Sequence, residues 1–362
     1  MEKGRTSHFL CGHSPGASLP HPIFSLAIAA VLCCQGCQSL ERVHPDPPAA
    51  AVTIPPEGGR ADPADGFRIG IDIDAGGLRG ETENGTRGDD WWLIRRLDLF
   101  VFDDDALRAL DSYTRSYAYS PSSVTVCSAG GPKRVVAVAN LSFADDYIAT
   151  VRCYDDLRDA VTEFTADHPS WPVMSGETAF TASPGAQARV TLEPMMSTVE
   201  IRSLQCRMEG EYAGKTLKGV KVYLTDLSNR APLLREEGFL PSEILNAGGL
   251  SESDLGRLAY SGMVYRYLGD GTADGTGTRY GSAVLYCYPD EAPEASPASP
   301  FTRLVIEGTQ DGTPCRYSIP VNRAPFARDG PEGIGRNSRY VFDITLTRPG
   351  TGSPDDIGLF SP

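Results

Sequence analysis

The stretch LIRRLDLFVF, residues 93–102, constrains this chain more than any other. Successive residues of a strand point to opposite faces, so Leu97, Leu99 and Val101 share one face and Phe100 and Phe102 the other. Both faces are apolar, which predicts a central strand covered on each side. Trp91 and Trp92 lead into it, and Asp103, Asp104 and Asp105 end it. Such a strand needs partners, and the chain supplies many short candidates. Its 38 glycines and 28 prolines divide it into short runs, which favours a mainly β fold. A length of 362 residues accommodates two domains of ordinary size.

Taken in order, Phe67, Ile69, Ile71 and Ile73 alternate with polar or small residues, the period of a half-buried strand. Residues 76–88 read as a loop carrying Arg79 and Arg87. After the central strand come a return strand with Tyr113, a strand at 124–127, a turn at Gly130-Gly131-Pro132 and a buried strand at 135–139. Ile148, Val151, Tyr154, Leu157, Val161 and Phe164 recur at helical spacing, with Asp145 and Asp146 favouring the helix start. The spacing therefore predicts one helix, closed by Pro169 and Pro172. Residues 174–177 read as a loop and 188–192 as a strand. The strand pattern restarts near Pro194 and runs to a last alternating stretch at 340–346. The expected architecture is two β-sandwich-like domains, 67–192 and 193–350, the first with a packed helix, followed by a short tail at 351–362.

The N-terminus reads as an export signal. Lys3 and Arg5 precede a ten-residue apolar run at 23–32, too short to span a bilayer but suited to a signal core. Cys33, Cys34 and Cys37 follow directly. A cysteine behind a small residue at this place resembles a bacterial lipobox, and Cys37, after Gly36, fits best. A plain secretory signal with incidental cysteines is the alternative. Lipid on Cys37 places the mature chain on a membrane surface. Residues 38–66, rich in Pro and Ala, read as a tether.

Few chemistries fit the rest. A net charge of −14 excludes a nucleic-acid partner, since no basic stripe is present to neutralise phosphates. Of five histidines only His44 and His168 lie beyond the signal, so neither a triad nor a metal site can be assembled. Cys127, Cys153, Cys206, Cys287 and Cys315 are widely spaced, without a CxxC pair, and are expected as mostly buried thiols on strands. The three aspartates at 103–105 lack the spacing of a calcium loop and read as turn residues. The glycine-rich 270–277 segment reads as a hairpin tip, and Arg87-Gly88-Asp89 as an incidental tripeptide. No enzyme and no cofactor are expected.

Four stretches carry a family resemblance. They are Thr86-Arg87 followed by IRRLDLFVFD (94–103), RVVAVAN (134–140), the paired runs 302–308 and 316–321, and Arg336-Asn337-Ser338-Arg339-Tyr340. In this order, behind a lipobox, they make the chain similar to the Bacteroidales-type fimbrillins over roughly residues 67–348. The resemblance implies two transthyretin-like, Greek-key β-sandwich domains and a structural subunit of an outer-membrane fimbrium. The subunit would be exported through the periplasm as a palmitate-bearing lipoprotein precursor, and it would support adhesion to host or bacterial surface receptors.

The resemblance also implies a mechanism. A trypsin-like, Arg-specific protease cuts in the loop behind the first strand, and the departing strand opens an edge for a segment from another fimbrial subunit. Here the exchanged strand would be residues 67–74, with Phe67, Ile69, Ile71 and Ile73 filling the groove. Arg87 is the first cleavage candidate and Arg79 the second. Beyond the RNxxY stretch only a short Gly-, Pro- and Asp-rich tail follows, and residues 357–360 make a poor donor strand. That favours an accessory, tip or anchor subunit. A lipid-anchored surface protein that binds a ligand and does not polymerise is the competing expectation.

Overall fold

The computed structural model describes residues 66–75, 93–142, 145–235, 239, 243–291, 300–327, 331–351 and 357–359. All belong to one compact unit, Pro47–Pro362. Strands dominate them, as the sequence predicts.

The first eight strands are β1 (Phe67–Ala75), β2 (Leu97–Asp103), β3 (Leu110–Ser116), β4 (Ser123–Ser128), β5 (Gly131–Ala139), β6 (Val161–Glu163), β7 (Met174–Ala182) and β8 (Gln187–Pro194). All but β6 form one sheet, ordered β3-β2-β5-β7-β8-β1-β4. β2 lies antiparallel between β3 and β5, with Phe100 opposite Tyr113 on one side and Val136 on the other. Its two apolar faces serve two cores. Leu97, Leu99 and Val101 enter a smaller core with Ile69, Ile71, Val190 and Leu192. Phe100 and Phe102 enter a larger one that continues into the second half of the chain.

The sheet is bent rather than flat. β8 pairs with β7 only at Pro194 and Glu193, opposite Met174 and Ser175. Further back it runs parallel to β1, from Gln187 beside Gly70 to Leu192 beside Ala75. Gly176 sits where β8 changes partner, and a Cβ there would lie 2.0 Å from the Thr191 carbonyl oxygen. Glycine inside a strand often marks such a corner. The loop expected at 174–177 is therefore the start of β7, and its glycine is a bend inside a strand. Gly176→Ala should destabilise the fold by about 1–3 kcal/mol, the usual cost of overpacking, measured as a lower denaturant midpoint. The curl brings the two ends of the sheet together. On β3, the Asp111 carboxylate accepts hydrogen bonds from Ser128 Oγ at 2.7 Å and the Ala129 amide at 3.0 Å, beside the end of β4.

The single helix expected over 148–164 is not formed. In its place stand α1 (Asp145–Thr150), α2 (Tyr154–Arg158), then β6 and a 3-10 turn, Phe164–Ala166. Local bonding breaks it. Cys153 is extended, at φ −145° and ψ 169°. The Asp156 carboxylate accepts from the amides of Arg152 at 2.7 Å and Cys153 at 3.0 Å, so α2 is capped rather than continued. The Arg152 carbonyl receives the Leu110 amide at 2.8 Å, and the Tyr154 amide donates to Arg108 at 2.9 Å. Backbone groups that would extend a helix are bonded to the β3 region instead. The apolar spacing is real, but Ile148, Val151, Tyr154, Leu157 and Phe164 pack on the larger core from separate short elements.

The second half holds β9 (Ser197–Cys206), β10 (Lys218–Thr225), β11 (Leu227–Ser228), β12 (Arg230–Pro232), β13 (Ile244–Leu245), α3 (Glu252–Arg257), β14 (Tyr265–Gly269), β15 (Thr272–Ala273), β16 (Thr278–Tyr280), β17 (Ala283–Cys287), β18 (Arg303–Gln310), β19 (Thr313–Pro320), β20 (Arg339–Leu346) and β21 (Ile357–Leu359). One sheet is ordered β14-β10-β18-β19; the other is β15-β16-β9-β20-β21, with β17 also on β9. Both feed the larger core, through Val222, Leu304 and Tyr317 from the first and Ile201, Leu285 and Ile344 from the second. The two halves of the chain are stitched by main chain: β6 pairs with β12, Thr162 opposite Ala231.

Candidate functional site

β1 is an interior strand. It runs antiparallel to β4, Phe67 opposite Ser128 through Asp72 opposite Ser123, and parallel to β8 on its other side. Ile69 and Ile71 are 1% and 0% exposed, while Phe67 and Ile73 are half-buried at the two ends of the row. The period of two has a direct cause: one face packs on the smaller core, and the other carries Arg68, Gly70, Asp72 and Asp74. The polar rim adds little. Asp74 meets Arg189 at 3.4 Å, their side chains 43% and 73% exposed, and such surface pairs contribute about 0–1 kcal/mol.

Two consequences follow for a chain lacking β1. Both β4 and β8 would present unpaired amides and carbonyls, because β1 bonds to each. A slot lined by Val126, Ala188, Val190 and Leu192 would open over Leu97, Leu99 and Val101. The larger core contains no residue of β1, so it would remain whole. β2 faces that slot across the core and does not flank it in the sheet. Its sheet neighbours are β3 and β5, and it faces Ile69 and Ile71 across the smaller core. Residues close in sequence are separated here by the curl of the sheet.

The proposed lipidation residues Cys37, Cys33 and Cys34, the cleavage candidates Arg87 and Arg79, and most of the tether and loop that carry them lie outside the described residues. The other candidates are structural. Asp105 accepts from the amides of Leu107 and Arg108, both at 2.9 Å, and so holds a turn. His168 stacks on Trp171 at 3.8 Å and accepts the Ser170 amide through Nδ1. Among the described residues no group of three or more His, Cys, Asp or Glu is placed to hold a metal. Cys206, Cys287 and Cys315 are buried free thiols, but Cys127 is exposed and Cys153 precedes α2.

Sequence reasoning missed three buried polar centres. Asp98, wholly buried on β2, binds Arg96, Tyr113 and Arg115. Arg336, of the RNxxY stretch, donates to the carbonyls of Pro194 at 3.1 Å and Ser175 at 3.0 Å, to the Glu193 carbonyl and to Ser175 Oγ at 2.8 Å. It therefore clasps the corner where β7 and β8 meet, and burial pushes its pKa down to about 10. The third is Asp167, which accepts from the His168 and Val173 amides and from Tyr288 at 3.0 Å. An aspartate within an apolar strand and an arginine next to a strand were the available signals for the first two. Asp167 offered none.

Burial pushes the Asp167 carboxyl up to about 7, against an ordinary value of 3.8. The folded state therefore holds a proton that the unfolded chain releases between those values. This contribution to stability is complete below pH 3.8 and is lost as pH rises through 7, at no more than about 1.4 kcal/mol per pH unit. Asp167→Asn mimics the protonated form. The stability of this variant relative to the parent should rise from pH 4 to pH 8, followed by denaturant titration at each pH.

No protein-family model matches the chain, and no curated protein does. Solved structures do. A protein assigned to cell adhesion from Parabacteroides distasonis aligns with a TM-score of 0.57 at 13% identity, covering 82% of this chain and 97% of that one. The fimbrilin FimA of Porphyromonas gingivalis aligns at 0.56 and 15% identity, covering 81% and 95%. The tip fimbrial protein Mfa3 of the same organism, with a C-terminal truncation, aligns at 0.50 and 13%, covering 82% and 98%. The chain has the fold shared by the Bacteroidales fimbrillins and these adhesion proteins, the resemblance that its strand motifs carry.

Proposed function

We propose that this chain is a non-enzymatic structural subunit of a bacterial surface fimbrium that assembles by exchange of β1. The observation that carries the reading is the placement of β1: an interior strand whose buried residues belong only to the smaller core. Removing it creates two edges and an apolar slot without touching the larger core. An extended segment of another subunit fills such a slot by strand addition. On this reading the chain comprises two sandwich-like domains meeting near residue 193. It is exported as a lipoprotein with lipid on Cys37, and an Arg-specific protease cuts it at Arg87 or Arg79. Other fimbrial subunits are its partners and surface receptors its targets.

The test is limited digestion of purified precursor with a trypsin-like protease, followed by sequencing of the new N-terminus. A start at Gly88 or Gly80, with multimers that resist dissociation, is expected. Retention of residues 67–75 with no gain in multimers contradicts the reading.

One observation bears on position within the fibre. Residues Ile357–Leu359 pair in cis with β20, Leu359 opposite Ile344. A tail engaged with its own sheet is a poor donor for a neighbour, which supports an accessory, tip or anchor role. A lipid-anchored subunit that keeps β1 and never polymerises is the second reading, and the same digestion separates the two.

A further inference from the structure

A cleft of about 580 Å³ opens on the face of the β14-β10-β18-β19 sheet that points away from the larger core. A bulge makes it. Against β18, Lys218 pairs with Thr309 and Lys221 with Glu307, so Gly219 and Val220 together oppose the single residue Gly308. Gly219 sits at φ +60°, the left-handed region that suits glycine in a bulge. Val220 turns into the core. Gly219 leaves the cleft floor without a side chain: the nearest atom to a Cβ built there is the Tyr267 hydroxyl, 3.9 Å away.

The groups around this floor are fixed and mixed in character. Glu307 is held by Lys221 at 2.8 Å and by the Tyr223 hydroxyl, which donates to it. Burial alone would raise its pKa, but these two partners outweigh it and keep the carboxylate ionised. Arg316 lies 3.9 Å from Glu307 and spends one nitrogen on the Gly248 carbonyl, at 2.9 Å. Lys221 and Arg316 each remain more than a third exposed, with donors to spare. On the edge strand β14, Tyr267 lies opposite Lys221 in register, 64% exposed and the most exposed aromatic among the described residues.

The chemistry of these groups selects a ligand class. Pockets bind through a few placed polar groups beside apolar surface. Donors from Lys221 and Arg316 together with an acceptor at Glu307 suit hydroxyls, which both give and accept hydrogen bonds. The Tyr267 ring offers a flat apolar face for the C–H side of a sugar ring. An anionic group would meet the Glu307 carboxylate, and a purely apolar one would desolvate three charges. We propose that this cleft is a binding site for a neutral hexose of a surface glycan, stacked on Tyr267 and hydrogen-bonded by Glu307, Lys221 and Arg316. The proposal is independent of β1 exchange.

Saturation-transfer NMR on the full chain tests it, with glucose, galactose, mannose and N-acetylglucosamine as probes and glucuronic acid as the anionic control. Transfer to the ring protons of at least one neutral sugar is expected, weakened tenfold or more by Tyr267→Ala. That residue is exposed, so the variant keeps its fold, checked by an unchanged melting curve. Glu307→Gln should weaken the same signal. No transfer from any neutral sugar overturns the proposal, as does transfer from glucuronic acid alone or a signal indifferent to both substitutions.

Discussion

Replacing Asp98 by Asn should cost this protein about 3–5 kcal/mol, the range for breaking a buried charge pair by removing one partner. Asp98 is wholly buried within β2 and accepts from Tyr113 Oη at 2.5 Å, Arg115 Nε at 2.8 Å and Arg96 Nε at 2.7 Å. Burial, reinforced by the Asp98 charge, pushes the Tyr113 phenol well above its ordinary range, so it stays a donor. An asparagine of the same shape presents an amide N–H toward one of these donors and leaves Arg115, whose side chain is 5% exposed, without its buried counter-charge. Arg115 keeps a second contact, to Asp145 at 2.8 Å, but that carboxylate is 70% exposed and offsets little. Guanidinium denaturation of the two proteins measures the difference. A loss under about 1 kcal/mol would show that the network contributes no more than surface ion pairs do.

Ile71→Ala should lower stability by about 2–5 kcal/mol, and Ile69→Ala similarly, because both side chains fill the smaller core without contact with water. Ile73→Ala, half-buried at the end of the row, should cost visibly less. The order of these costs is the useful result. If β1 is the strand that leaves, the Ile71 variant holds it more weakly, and release after cleavage should be faster than in the parent. Equal costs at 71 and 73 would mean that the slot is not shaped around the strand as described.

The sequence made β1 legible by its period of two and β2 by an apolar run on both faces, which could be assigned from Leu97, Leu99, Val101, Phe100 and Phe102 alone. Other features were hidden by physics that acts beyond a short window. The helical spacing of Ile148 to Phe164 was genuine, yet backbone hydrogen bonds to the Arg108 carbonyl and from the Leu110 amide, and the cap from Asp156, divided it. Residues 174–177 read as a loop because a sequence does not show that the Thr191 carbonyl comes so close to Gly176. Distance in the sheet was equally invisible: β1 and β2 follow one another in the chain but face each other across a core. The polar centres at Asp98, Asp167 and Arg336 depend on partners up to 161 residues away, and the bulge at Gly219 depends on its register with β18.

The central claim is that β1 occupies a slot which another segment takes after processing. A synthetic peptide of residues 67–74, FRIGIDID, tests this directly when added to freshly processed protein while multimers are followed by size. The peptide should re-occupy the slot and stop multimer growth at stoichiometric amounts, and a version with Asp at positions 69 and 71 should have no effect. Multimers that grow at the same rate with either peptide would contradict the account.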